Sequence, residues 1–225
     1  MTNNLDSRAL GRADCYGQRF MKAGDYPYNV VPAHGRLMST DRPFVVRVRQ
    51  GSAKSMKQHN VQVTVDCGKL VVAERELTID VGDLVLWNCA SDHPVAVVGE
   101  HDFFSSHRLT NECGFSHAFG TPGDYHWVDA YGSGLSGLVR VRDPGVKAES
   151  DLKRWLQTLS EGKMVMIADN KPQPAEVEVV TGQTVFFTVI KGPGISITDS
   201  RLLKQTGDRP DPPLDKTKSR GVMRY

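Results

Sequence analysis

Apolar and polar positions alternate in short runs along most of the chain, the period-two signature of half-buried β-strands. Phe44-Val45-Val46-Arg47-Val48-Arg49, Val61-Gln62-Val63-Thr64-Val65 and Val139-Arg140-Val141-Arg142 carry it most clearly. Gly and Pro bound these runs, as in sheets whose strands are joined by tight turns. The pattern predicts strands at 19–20, 26–28, 44–49, 61–65, 70–73, 76–81, 83–89, 94–98, 125–129 and 138–142. The period changes over 148–160, where Leu152, Trp155, Leu156 and Leu159 fall at i, i+3, i+4 and i+7. That spacing predicts a helix whose apolar stripe packs on a neighbouring sheet as a spacer.

The strand pattern repeats. Glu76-Leu77-Thr78-Ile79-Asp80-Val81-Gly82-Asp83-Leu84-Val85-Leu86-Trp87 returns as Glu176-Val177-Glu178-Val179-Val180-Thr181-Gly182-Gln183-Thr184-Val185-Phe186-Phe187. Phe119-Gly120-Thr121-Pro122-Gly123-Asp124-Tyr125-His126-Trp127 and the strand at 139–142 are matched by Phe20-Met21-Lys22-Ala23-Gly24-Asp25-Tyr26-Pro27-Tyr28 and the strand at 45–49. Repeats of this kind mark recurring structural units. The expected fold is all-β, with two Greek-key β-sandwiches: a continuous one at 61–145 and a split one assembled from 15–50 plus 164–205. A linker helix at 146–162, a flexible N-terminal arm at 1–14 and an extended C-terminal tail at 206–225 complete the expected organisation.

Charge removes one class of partner. Lys+Arg number 28 against Asp+Glu 26, a net charge of +2, too balanced for the basic footprint that binds nucleic acid. The first residues hold no apolar run of signal-sequence type, and no window reaches the ~18 apolar residues of a membrane span. The expectation is a cytoplasmic protein, free or peripheral on a membrane complex. Cys15, Cys67, Cys89 and Cys113 form no CxxC pair, which suits reduced thiols, with one disulfide as the alternative.

The 61–145 region resembles a cupredoxin, the plastocyanin and azurin type of β-sandwich. The resemblance rests on Val81-Gly82-Asp83-Leu84-Val85-Leu86-Trp87-Asn88, Asp92-His93-Pro94-Val95, Phe115-Ser116-His117-Ala118-Phe119, Pro122-Gly123-Asp124-Tyr125-His126-Trp127 and Gly134-Leu135-Ser136-Gly137-Leu138-Val139-Arg140-Val141. A blue-copper site needs two imidazoles, a thiolate and a weak axial thioether. The resemblance puts His93 at the first ligand, but Asp129 at the Cys, Tyr131 or Gly132 at the second His and Leu135 at the axial Met. In the split copy Val30 stands at the Cys, His34 and Met38 have the spacing of the His and Met ligands, and Pro193 stands at the first His. The resemblance therefore implies a lost copper site. No cofactor and no metal are expected, and the residues left for a metal are His93, Asp129, His34 and Met38.

The alternative is copper or zinc held by some of His93, His101, His107, His117 and His126 with Asp92, Asp102 and Asp129, for metal storage or electron transfer. Their spacing matches no established motif, and alternation along a strand lets only a subset converge. No nucleophile elbow, Walker loop or dinucleotide fingerprint is present, and Cys113 with His117 lacks a third orienting group. The expectation is a non-enzymatic accessory subunit that binds and stabilises a larger protein assembly. By the resemblance alone, that assembly would be a respiratory or photosynthetic electron-transfer complex.

Overall fold

The computed structural model describes residues 4–33, 42–51, 56–66, 69–90, 92–100 and 104–206. The chain is mostly β. Its first half forms β1 (Asp14–Arg19), β2 (Gly24–Pro32), β3 (Phe44–Arg49), β4 (Gln58–Asp66), β5 (Lys69–Val72), β6 (Glu76–Asp80), β7 (Leu84–Cys89) and β8 (Val95–Gly99). The second half forms β9 (Cys113–Ala118), β10 (Gly123–Val128), β11 (Ser136–Arg142), α1 (Glu149–Leu159), β12 (Lys163–Ala168), β13 (Lys171–Gln173), β14 (Glu176–Val180), β15 (Thr184–Val189), β16 (Thr198–Asp199) and α2 (Ser200–Thr206).

The strands make three mixed sheets. One of eight strands runs β13-β12-β15-β9-β1-β7-β4-β5, and two of four strands run β6-β3-β2-β8 and β14-β11-β10-β16. The order is twofold: β1-β7-β4-β5 on one side of the centre is matched by β9-β15-β12-β13 on the other. At the centre β1 and β9 are antiparallel, with Tyr16 opposite Phe115 and Gly17 opposite Gly114. Aromatic contacts lock each small sheet onto its half of the large one. Tyr28 meets Trp87 edge to face at 5.6 Å and 76°, and Trp127 meets Phe187 at 5.6 Å and 78°. The buried apolar side chains of both halves join in one core, with Trp87, Phe119, Val139 and Phe187 fully inaccessible.

This pairing departs from the expected partition at 61–145. β3 pairs in parallel with β6, placing Val45 beside Glu76, and β11 pairs with β14, placing Leu138 beside Glu176. The strands of 15–50 thus pair with those of 58–99, and those of 113–142 with those of 163–199. The two schemes share one arginine–glutamate contact, which both repeats supply. Arg47 reaches Glu76 at 2.5 Å and Arg140 reaches Glu176 at 2.9 Å. Chain length separates them: the expected ladders would close loops roughly two and four times longer, at about 0.6 kcal/mol per doubling.

The expected flexible arm is a second correction. Leu5, Ser7 and Leu10 are at most 1 % exposed. Ser7 N donates to Ile197 O and Leu10 N to Val95 O, so residues 5–10 bridge both halves. Residues 104–109 do the same in reverse, with Ser106 N donating to Val97 O and Leu109 N to Ile195 O. The helix forms as predicted but its stripe is only half used. Trp155 Nε1 donates to Thr181 O at 2.9 Å, while Leu156 is 54 % exposed. No helix among the described residues is long and apolar enough to cross a membrane. The tail expected at 206–225 lies, beyond Thr206, outside the described residues.

Candidate functional site

Of the residues left for a metal, His93 and Asp129 fall within the described residues. His34 and Met38, with His101 and Asp102, lie outside the described residues. Asp129 is buried, and its carboxylate is engaged by backbone donors: Oδ1 accepts from Tyr131 N and Ser196 N, at 3.1 and 2.8 Å, and Oδ2 from Ser133 N at 3.0 Å. Its place after β10 makes it the clasp of the 129–135 loop. His93 is exposed ahead of β8, and His126 is exposed on β10. His117 is buried, its Nδ1 2.6 Å from Asp14 Oδ1. Among the described residues, no three His, Cys, Asp or Glu side chains group closely enough to hold a metal ion.

The Cys113 and His117 pair is also separated. Both lie on β9, and four residues of extended chain span about 13 Å. Burial pushes the Cys113 thiol up to about 12, and the Cys15 thiol likewise to about 12, so neither supplies a thiolate near neutral pH. Cys15, Cys89 and Cys113 are not joined in disulfides.

The outer face of the eight-stranded sheet, the one turned away from both small sheets, is where the molecule is open. Alternation along the strands sends Tyr16, Val85, Trp87, Phe115, Val185 and Phe187 inward. It leaves Cys15, Gly17 and Arg19 of β1, Leu84 and Leu86 of β7, Gly114 and Ser116 of β9, and Phe186 of β15 on the other side. Those residues, with Met164, line a trough of about 820 Å³.

Its floor is bare backbone at the seam of the two halves, where Gly17 faces Gly114 and Cys15 faces Ser116. A Cβ added at Gly17 would stand 2.8 Å from Leu86 Cδ2. One wall is Leu84 and Leu86. The other is Phe186, 45 % exposed, and Met164, 60 % exposed, which are neighbours in the parallel β12–β15 pair. Arg19 and Glu112 close one end, joined through Arg19 N and Glu112 O at 2.9 Å.

The sequence reading did not find this face, although its signal is present. Met164-Val165-Met166-Ile167 and Val185-Phe186-Phe187 are apolar at successive positions, so both faces of β12 and β15 carry apolar side chains. A strand with one face in water alternates instead. Comparison with protein-family models, curated proteins and solved structures finds no match to this chain.

Proposed function

We propose that this chain is a non-catalytic, copper-free pair of cupredoxin-like repeats that serves as an accessory subunit, binding and stabilising a larger protein assembly. The observation that carries the reading is the outer face of the eight-stranded sheet. Met164 and Phe186 stand 60 % and 45 % exposed beside Leu84 and Leu86, and apolar groups clustered in this way on a surface mark an interaction site. The residues at the copper-ligand positions support the same reading. Asp129 replaces the thiolate and is bound by three backbone N–H groups, and Leu135 is buried where the axial thioether would stand. An electron-transfer assembly is the class of partner that the resemblance implies, by analogy of fold.

Two measurements test the proposal. Native purification of the tagged protein from its own cells should return a partner in stoichiometric amount, and Phe186→Ser with Met164→Ser should lose it. Retention of the partner by that double variant would exclude this face as the binding surface. Metal analysis after dialysis should find less than a tenth of an equivalent of copper or zinc, whereas a full equivalent would favour metal storage or electron transfer.

A further inference from the structure

The trough on the outer face has a definite direction. Its walls are β7, bearing Leu84 and Leu86, and β15 with β12, bearing Phe186 and Met164. Between them run β1 and β9, with the small residues Cys15, Gly17, Gly114 and Ser116. From β7 to β15 is three strand spacings, about 14 Å. An α-helix with its side chains is about 10–12 Å across. The six residues of β1 give a length of about 20 Å, which about 13 helical residues would cover.

Three kinds of occupant compete for such a space. A small molecule would lie half in water, because the trough is open along its length, whereas ligand pockets enclose most of the ligand surface. An extended peptide would leave its backbone unpaired. β1 is already hydrogen-bonded to β7 and β9, and β9 to β15, so the floor has no free ladder to offer. The edges of this sheet are the three-residue β13, which contains Pro172, and the four-residue β5. Short edges of this kind resist strand addition. A helix pairs its own backbone and needs from the trough only apolar contact and close approach, which the glycine floor provides.

Charge fixes one end. The Arg19 guanidinium meets Met56 Sδ, and neither Arg19 nor Glu112 is in an ion pair with any described residue. Arg12, towards the other end, is held by Asp92 at 3.0 Å. Resting on the accessory-subunit reading above, we infer that the trough takes one amphipathic α-helix of a partner protein. Its apolar stripe lies over Gly17 and Gly114 between Leu86 and Phe186, and its terminal turn carries an acidic residue for Arg19 and a basic one for Glu112.

The probe is a fluorescein-labelled synthetic helix of about 14 residues, with leucines at i, i+3, i+4 and i+7 and a Glu and a Lys in its last turn. Titration with the full chain should raise its anisotropy to saturation. Phe186→Ser and, independently, Met164→Ser should weaken binding at least tenfold, and both sites are exposed enough to leave the fold unchanged by circular dichroism. Arg19→Glu should weaken it about fivefold, and a second probe with Lys in place of the Glu should recover that loss. Absence of binding, or binding that all three variants leave unchanged, would overturn the helix. A dimer of the full chain that Phe186→Ser abolishes in sedimentation would overturn it too, in favour of a second copy on this face. Loss of the native partner in Phe186→Ser without probe binding refutes the helix alone, retention of that partner refutes this face as its seat, and failure of the unaltered chain to return any stoichiometric partner refutes the accessory reading itself.

Discussion

Asp14 and His117 face each other across the β1–β9 ladder, Oδ1 2.6 Å from Nδ1, each side chain 1 % exposed. The pair lies at the seam where the two halves of the large sheet meet. Asp14 Oδ2 also accepts from Gly11 N at 2.7 Å, and the His117 ring packs edge to face on Phe119 at 4.6 Å. The pair thus ties the segment entering β1 to the core of the opposite half.

Removing one partner should be expensive because it strands the other in the interior. His117→Ala is expected to lower stability by about 3–5 kcal/mol, the range for breaking a buried pair. Urea denaturation of the two proteins measures it, and a loss under about 1 kcal/mol would mean that water enters the seam.

The clasp between the halves makes a paired prediction. Ser7 Oγ accepts from Ile197 N at 3.1 Å, and Ser106 Oγ accepts from Val97 N at 3.1 Å. Both hydroxyls are buried. Ser7→Ala and Ser106→Ala should each cost about 1–3 kcal/mol, the penalty for a buried group deprived of a partner. A mobile N-terminal arm would instead give no effect at Ser7 and a full effect at Ser106, which separates the two descriptions in one denaturation series.

What the sequence disclosed and what it hid follow from the same repeat. The strands around Glu76 and Glu176 could be read from alternation, because their inward residues, such as Ile79 and Val179, face the core. The partition could not. Arg47 pairs with Glu76 and Arg140 with Glu176, so this contact is available in either scheme and loop length favours the observed one. β1 and β9 escaped as strands because Gly17 and Gly114 replace the outward side chains of the usual pattern. Leu5 and Leu10 are isolated apolar residues in a polar segment, and nothing local announces their burial. Asp129, which the resemblance puts at the Cys position, could be read from the sequence only as a carboxylate. Its engagement by three backbone N–H groups depends on Ser196, which lies far away in the chain.

Helix α1 offers a graded test of how firmly it is docked. Trp155 is half-buried and bonded through Nε1 to Thr181 O, while Leu156 projects outward. Trp155→Ala should cost about 1–2 kcal/mol, one hydrogen bond and partial burial, less than a full core truncation. Leu156→Ala should stay within about 0.5 kcal/mol. Equal effects at the two positions would show that the helix sits in a different orientation.

The final prediction concerns acid. Burial raises the Asp14 carboxyl above its ordinary 3.8; the hydrogen bond and charge of His117 and the Gly11 N–H oppose the shift, and the charge of Asp6 adds to it. In the window above 3.8 the folded protein therefore holds a proton at Asp14 that the unfolded chain has released. Stability falls with rising pH wherever the folded state binds more protons, so Asp14 contributes most at low pH and loses that contribution as pH rises through its raised pKa. Asp14→Asn removes the titration and keeps the carbonyl that meets His117. The stability of the natural protein minus that of Asp14→Asn should decline as pH rises through this window and level off above it, with all other carboxylates cancelling in the difference. A difference that instead grows with pH would mean that attraction to His117 outweighs burial and that the carboxyl is held ionised at the seam.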